Sequence, residues 1–445
     1  MLADSSNENT VLWSLTAPPA PTVEIISENL SFDVVIVGAG LTGLRAAVSL
    51  AEAGTSVAVI DAQRIGYGSS GRSGGQCNPI WRATPDDLAT EFGNTQAERL
   101  IQATLTSADD LFDDIRRLNI DCGAEQNGWF QAAHTRRQAA SLKKLASAWR
   151  KVGAEIEDVG STGTQAGVGS PAYEFSLLHA KGGFVQPLAL TRGYAGAALA
   201  NGARLFEQAP ATAMERKNGK WHVVTPGGIL TAEQVILATN AYTDTLWPGL
   251  RQTILPMVSI SLATEPLNAE QQASVLPGRV TVSDSRLAIY FARYDSDNRL
   301  VFGCVGSTDS VKTFGGPGRL RKGLRTVFPQ IADIGIECSW AGRIGVTPTM
   351  KPHLHEPAKG VLAGLGFSGR GIAMTSVMGR ALARKVLGAS NSDMPFPVTA
   401  IKPMALHGVS KAFVPLMAPT LSTLDQASVV LDRGLGRLSK EKDRT

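Results

Sequence analysis

Gly38, Gly40 and Gly43 stand in the spacing G-x-G-x-x-G, with Leu41 and Thr42 between the last two. In that spacing the first glycine permits a tight turn and the second lets the backbone approach a pyrophosphate. The third lets a helix pack closely on a strand. Phosphates would then rest on unpaired N–H groups at the positive end of the helix. Asp61 follows roughly 20 residues on, where an acid would bind a ribose diol. The plainer alternative is a βαβ unit whose glycine turn is structural.

A second run, Gly66-Tyr67-Gly68-Ser69-Ser70-Gly71-Arg72-Ser73-Gly74-Gly75-Gln76, lies directly beyond. A nicotinamide cofactor has no evident need for it. FAD does, because it lies extended and its isoalloxazine end needs close backbone approach far from the first turn. A third run, Gly366-Phe367-Ser368-Gly369-Arg370-Gly371-Ile372, reads as strand end, glycine turn and helix start. Reduced flavin carries negative charge around N1 and the C2 carbonyl, and a helix N-terminus aimed there offers free donors and a favourable dipole. An ordinary strand-to-helix turn is the other reading.

Asp61, then Arg64 to Gly66, Gly68 and Ser70 to Gln76, resemble the D-amino-acid-oxidase-like family of FAD-dependent amine oxidases. The pattern of a short acid, R-I-G-x-G and S-G-R-x-G-G-Q is that of its γ-glutamylputrescine oxidases, and the likeness runs in order from Phe32 to about Leu387. It implies an α/β fold: a Rossmann-like FAD-binding domain of the glutathione-reductase type with a mixed-sheet α+β substrate domain. It places FAD against Gly38, Gly40, Leu41, Thr42, Gly43, Asp61, Ala62, Arg64, Ser70, Gly71, Arg72, Ser73, Gly74, Gly75, Gln76, Ala211, Thr239, Asn240, Gly366, Ser368, Gly369, Arg370, Gly371 and Ile372. None of Cys77, Cys122, Cys304 and Cys338 falls on the position through which related sarcosine oxidases attach FAD, so the cofactor is expected to be non-covalent.

The activity this implies is oxidation of the C–N bond of a primary or secondary amine, or of an N-substituted amino acid. The product is an imine, then aldehyde and amine, with O2 reduced to H2O2. An apolar, aromatic pocket would favour the neutral amine by desolvation, and Tyr290, Phe291 and Tyr294, with Trp340 and Trp129, are candidates for its walls. Arg293, Arg343 and Arg370 are candidates to anchor an acidic group. Related glycine oxidases carry such an arginine after W-A-G-x. Here Arg343 follows Trp340-Ala341-Gly342 directly, a one-residue shift that reverses the face of a strand residue. Lys351 is a candidate for oxygen activation. A dehydrogenase passing electrons to a membrane quinone, and a flavin-binding protein without turnover, are the competing readings.

These residues need elements to hold them. Phe32 to Val37 and Ser56 to Ile60 read as buried parallel strands around a helix from Leu44 to Ala53. Asp121 to Ala133 includes a strand at 128–131, Arg136 to Lys151 is a basic amphipathic helix, and Pro187 starts a helix to about Ala200. Strands follow at 204–208, 211–216, 221–225, 229–230 and 234–238, with Asn218-Gly219 as a hairpin turn. Val258 to Thr264, Leu287 to Tyr294 and Arg299 to Val305 form a substrate sheet. The expected organisation is an extended leader over 1–30 with a proline-rich piece at Ala17 to Pro21, an FAD-binding domain over 31–120, 180–250 and 341–390, a substrate domain over 121–179 and 251–340, and a helical extension over 391–445.

The totals agree with such an enzyme. In 445 residues, 43% are hydrophobic and 18% charged, which describes a folded protein with a large core. A formal charge of +4, scattered among acids, argues against nucleic acid as a partner. Four separated cysteines without a C-x-x-C pair read as reduced thiols, and MLADSSNENT has no secretory features, so the cytoplasm is expected. The six histidines include His353 and His355 but no convergent third ligand, and no metal is expected. The expected partners are a small amine and O2, with peripheral membrane contact through the amphipathic tail (Val409 to Leu431) as an open option, like the oligomeric state.

Overall fold

The computed structural model describes residues 7–8, 10–312 and 315–442, with side chains described between 10 and 432. The strand Leu30–Val37 is flanked on both sides by parallel neighbours, Val57–Ile60 and Gly228–Leu237. Val34, Val35 and Ile36 are fully buried, as a strand covered on both faces requires. Arg204–Phe206 extends this sheet at one edge; Val361–Leu365, His353–Ala358 and Val398–Thr399 extend it at the other. The pieces read as separate strands at 229–230 and 234–238 are one continuous strand. The hairpin turn is as expected: Lys217 pairs with Lys220 across Asn218 and Gly219, at φ 50° and 84°.

Helix Leu41–Glu52 follows the first glycine turn, and helix Gly371–Val386 follows the third. They pack side by side so closely that a Cβ on Gly379 would lie 2.8 Å from the Thr42 carbonyl oxygen. The first turn of one thus rests on the middle of the other. A buried ion pair between Arg45 and Asp114, 2.7 Å long, fixes the first of them to helix Asn94–Arg117.

The second sheet is mixed and runs, in order, Asn7–Glu8, Ile336–Val346, Leu255–Pro266, Arg299–Gly306, Phe291–Tyr294, Thr281–Asp284, Trp129–Ala133, Phe175–His179 and Ile156–Val159. Ile336–Val346 crosses position 340 without a break and pairs with Leu255–Pro266 along its length. Residues 287–290, expected in a strand, form a turn with Ile289 at φ 28°. The N-terminal segment, expected as an extended leader, contains helix Leu12–Thr16, and its Trp13 is fully buried against Trp340. Helix His407–Lys442 lies across Leu255–Pro266 and Arg299–Gly306. No described helix is long and apolar enough to cross a membrane.

Candidate active site

A cavity of about 850 Å³ runs between the two sheets, the size range of cofactor and substrate sites. At one end its wall is backbone. Gly38, Gly40, Leu41 and Thr42 reach it from the first turn, Ser70 and Arg72 to Gln76 from the second, and Ser368 to Ile372 from the third. Asp61, Ala62, Ala211, Thr239 and Asn240 complete that end. Gly43, Arg64, Gly71 and Gly366 of the expected set do not face it. Gly43 and Gly71 serve packing: a Cβ on either would lie 2.1 Å from a backbone oxygen.

Both helix N-termini at this end have no cap from their N-cap residues, Gly40 and Arg370. The Leu41 N–H donates to Ser70 Oγ at 3.0 Å, tying the first turn to the second. Asp61 accepts from the Ala39 and Gln63 N–H groups, at 2.8 Å each. Burial nevertheless pushes its carboxyl above the ordinary range, against those two hydrogen bonds. Asn240 braces the third turn, its Oδ1 accepting from the Gly366 N–H at 2.9 Å.

The second loop is held from behind. Trp340 Nε1 donates to the Arg72 carbonyl at 2.8 Å, Trp13 Nε1 to Ser73 at 2.9 Å, and Arg293 Nε to Gly74 at 2.7 Å. Three successive carbonyls are thus drawn into the protein. Among the described residues no acceptor meets the N–H of Gly74 or Gly75, and both glycines line the cavity.

At the other end the wall is side chains. Leu255 and Met257, Val305, Leu287 and Ile289, and Phe291 come from separate strands and turns, and Met417 and Leu421 from the C-terminal helix. Four arginines reach the cavity. Arg343 is clamped by both carboxylate oxygens of Asp309, at 3.0 and 2.9 Å, and that bond holds its pKa up. Arg370 donates to the Ile80 carbonyl and lies 5.2 Å from the Trp129 ring. Arg72 donates to the Tyr67 carbonyl at 2.8 Å. Arg82 makes no hydrogen bond, ion pair or ring contact among the described residues. It is open to the cavity, yet surrounding protein withdraws enough water to lower its pKa.

Several expectations are corrected here. Arg293 does not face the cavity: it is buried, with Gly74, Tyr294 and Val185 carbonyls on its three nitrogens, so it positions the loop instead of meeting a substrate. Tyr290 turns away at the 287–290 bend and packs on Phe302, 5.4 Å between centroids. Tyr294 donates to the Val275 carbonyl at 2.6 Å, Trp129 to Ser283 Oγ at 2.8 Å, and neither reaches the cavity. Lys351 pairs with Glu91 beside a small side chamber shared with Arg82 and Arg370. Phe291 alone of the proposed aromatic wall lines the cavity. Arg82, Ile289, Met417 and Leu421 carry no motif that marks them in the sequence.

All four cysteines are buried free thiols, and none lines the cavity. Among the described residues no three His, Cys, Asp or Glu side chains gather to hold a metal.

The wall accounts for a dinucleotide of FAD's layout: open helix N-termini for phosphate and for charge on a reduced ring, with a carboxylate beside the first turn, where the acid for an adenosine ribose belongs. The sequence profile of a family described as FAD dependent oxidoreductase matches residues 33–385. A probable oxidoreductase OrdL of Haemophilus influenzae is 33% identical over 361 residues, 80% of this chain and 83% of its own. Gamma-glutamylputrescine oxidoreductase of Escherichia coli is 30% identical over 389 residues, 84% and 90% of the two chains. The crystal structure of glycine oxidase from Geobacillus kaustophilus superposes with a TM-score of 0.67 at 22% identity, covering 81% and 96%.

Proposed function

Because the chain belongs to the D-amino-acid-oxidase-like family of FAD dependent oxidoreductases, we propose that it oxidises the C–N bond of an amine that also carries an anionic group. The observation that carries this is Arg82, a cation without a hydrogen bond or ion pair among the described residues, which faces the cavity beside Ser368 and Arg370 of the third glycine turn. FAD, when bound, accepts the hydride equivalent from the carbon beside the nitrogen and passes two electrons on to O2.

The chain's own residues do the rest. An alkyl amine with a pKa near 10 needs about 4 kcal/mol to lose its proton at pH 7. Phe291, Leu287, Ile289 and Met257 supply an apolar surface that, once a substrate covers it, lowers this cost. Arg82 holds a carboxylate on the substrate and so orients the amine. Water then hydrolyses the released imine to a carbonyl compound and an amine, and O2 leaves as H2O2. FAD is held without a covalent bond, and acid precipitation should release the yellow colour to the supernatant.

One feature favours a second electron acceptor. Val409, Phe413, Leu416 and Leu424 form an exposed apolar row on the C-terminal helix, fitting a dehydrogenase that meets a quinone at a membrane surface. A panel of polyamines, glutamylated amines and N-substituted glycines, screened for flavin bleaching without air and for peroxide in air, tests both. One peroxide per amine is expected. Bleaching without peroxide would favour the quinone, and no bleaching by any amine would overturn the function.

A further inference from the structure

The family match ends at residue 385, but the wall of the cavity does not. Met417 and Leu421, one helical turn apart, face the cavity from helix His407–Lys442. That helix is fastened at several points. His407 Nε2 meets the Ile254 carbonyl at 2.9 Å, and Val414 and Ala418 are buried. Further along, Asp425 accepts from the Leu287 and Ala288 N–H groups, at 2.9 Å each. Those two donors belong to the turn that also presents Leu287 and Ile289 to the cavity. The carboxylate therefore clamps two parts of one wall together.

We propose that this helix is the outer wall of the substrate site and sets how long an apolar group the substrate carries. The proposal rests on the amine-oxidising reading for what the site does, while its measurement needs no turnover. Met417 and Leu421 have no polar atom to offer, and with Leu287 and Ile289 they make an apolar patch. A substituent of hydrocarbon character, straight or branched, is the chemistry that surface accepts. Its length is limited where the Met417 and Leu421 side chains close the space.

Straight-chain carboxylates from butanoate to dodecanoate, titrated into the FAD-loaded full chain and read by the shift in flavin absorbance, test this. Each methylene that becomes buried should tighten binding about fourfold, up to a break in the series. Met417→Trp and Leu421→Trp should move that break to shorter acids, and the Met417→Ala, Leu421→Ala double variant to longer ones. Asp425→Ala, which frees the helix from the 287–288 turn, should blur the break while flavin content stays full. Leu416→Trp, on the exposed side of the same helix, should leave the series unchanged. An identical break in wild type and the Met417 and Leu421 variants, or no binding by any acid, would overturn the proposal. Failure of the amine reading would look different: no amine would bleach the flavin, whatever the acids do.

Discussion

The two ends of the cavity are built by opposite means. The cofactor end is backbone: three glycine-bearing turns, each contiguous in sequence, expose N–H groups that any side chain would cover. The other end is side chains, those of Leu255, Met257, Leu287, Ile289, Phe291, Val305, Met417 and Leu421. A backbone site needs only a turn of the right shape, so a short segment specifies it. A side-chain site needs the register of several strands and the landing place of a distant helix, so no short segment does.

Gly369→Val should break the cofactor end most severely. A Cβ at Gly369 meets no protein atom within 4 Å, so the protein itself has room for the side chain. The space it fills is the cavity, and φ of +84° adds a strain of about 1–3 kcal/mol for a β-branched residue. The expected result is a folded, colourless protein that does not take up FAD. A yellow variant with full flavin content would show that the third turn does not touch the cofactor.

Arg82→Ala strikes the proposed substrate anchor beside the third turn. A hydrogen bond to a charged group contributes about 2 kcal/mol, or roughly 30-fold in binding. KM should rise by that factor for amines bearing a carboxylate and stay unchanged for those without one, at unaltered flavin content. An equal effect on both classes would remove Arg82 from the substrate site.

Acid sensitivity should arise behind the cavity wall, at the residues packed under Arg370. His179, stacked 4.3 Å from Trp129, is buried beside Arg370, and its pKa is pushed down to about 3, first by desolvation and then by Arg370 and Arg150. Below the ordinary value of 6.5 the unfolded chain takes up a proton that the folded chain refuses. Stability is therefore full above that value and falls as pH drops, by about 1.4 kcal/mol per unit until the folded pKa is reached. His179→Gln, compared with wild type by denaturant unfolding between pH 7 and 5, should flatten the slope; an equal slope would refute this origin.

The same contrast explains what could be read in advance. The strand, the spaced glycines, the helix and Asp61 were legible because their partners lie close in sequence, and the Ala39 N–H does meet Asp61. Arg293 was misread because its partners are the carbonyls of residues 74, 185 and 294, and carbonyls leave no trace in residue type. Tyr290 was misread because a turn at Ile289 reverses the face that strand alternation assigns. Arg82 precedes the Thr84 capping box, and in the sequence it looks like an ordinary residue before a helix. Trp13 was hidden in a segment rich in proline that suggested an extended leader.

Trp13 lies behind the backbone end, and it supplies the smallest effect. Its indole N–H holds the Ser73 carbonyl back, while its ring lies 4.4 Å from the Arg293 guanidinium that holds Gly74. A side-chain cluster thus keeps a backbone surface facing outward. Trp13→Phe keeps most of the buried ring but leaves the Ser73 carbonyl without its donor, costing about 1–2 kcal/mol. That carbonyl can then rotate toward the cavity and meet the flavin with the wrong polarity. The flavin dissociation constant should rise about tenfold, and flavin spectrum and midpoint potential should shift with it. Trp13→Leu, which removes ring and donor alike, should lower stability further without a matching extra loss in flavin affinity. A loss of stability in Trp13→Phe with unchanged flavin affinity, spectrum and potential would mean that the loop keeps its direction unaided, and that the cofactor end is as self-contained in space as it is in sequence.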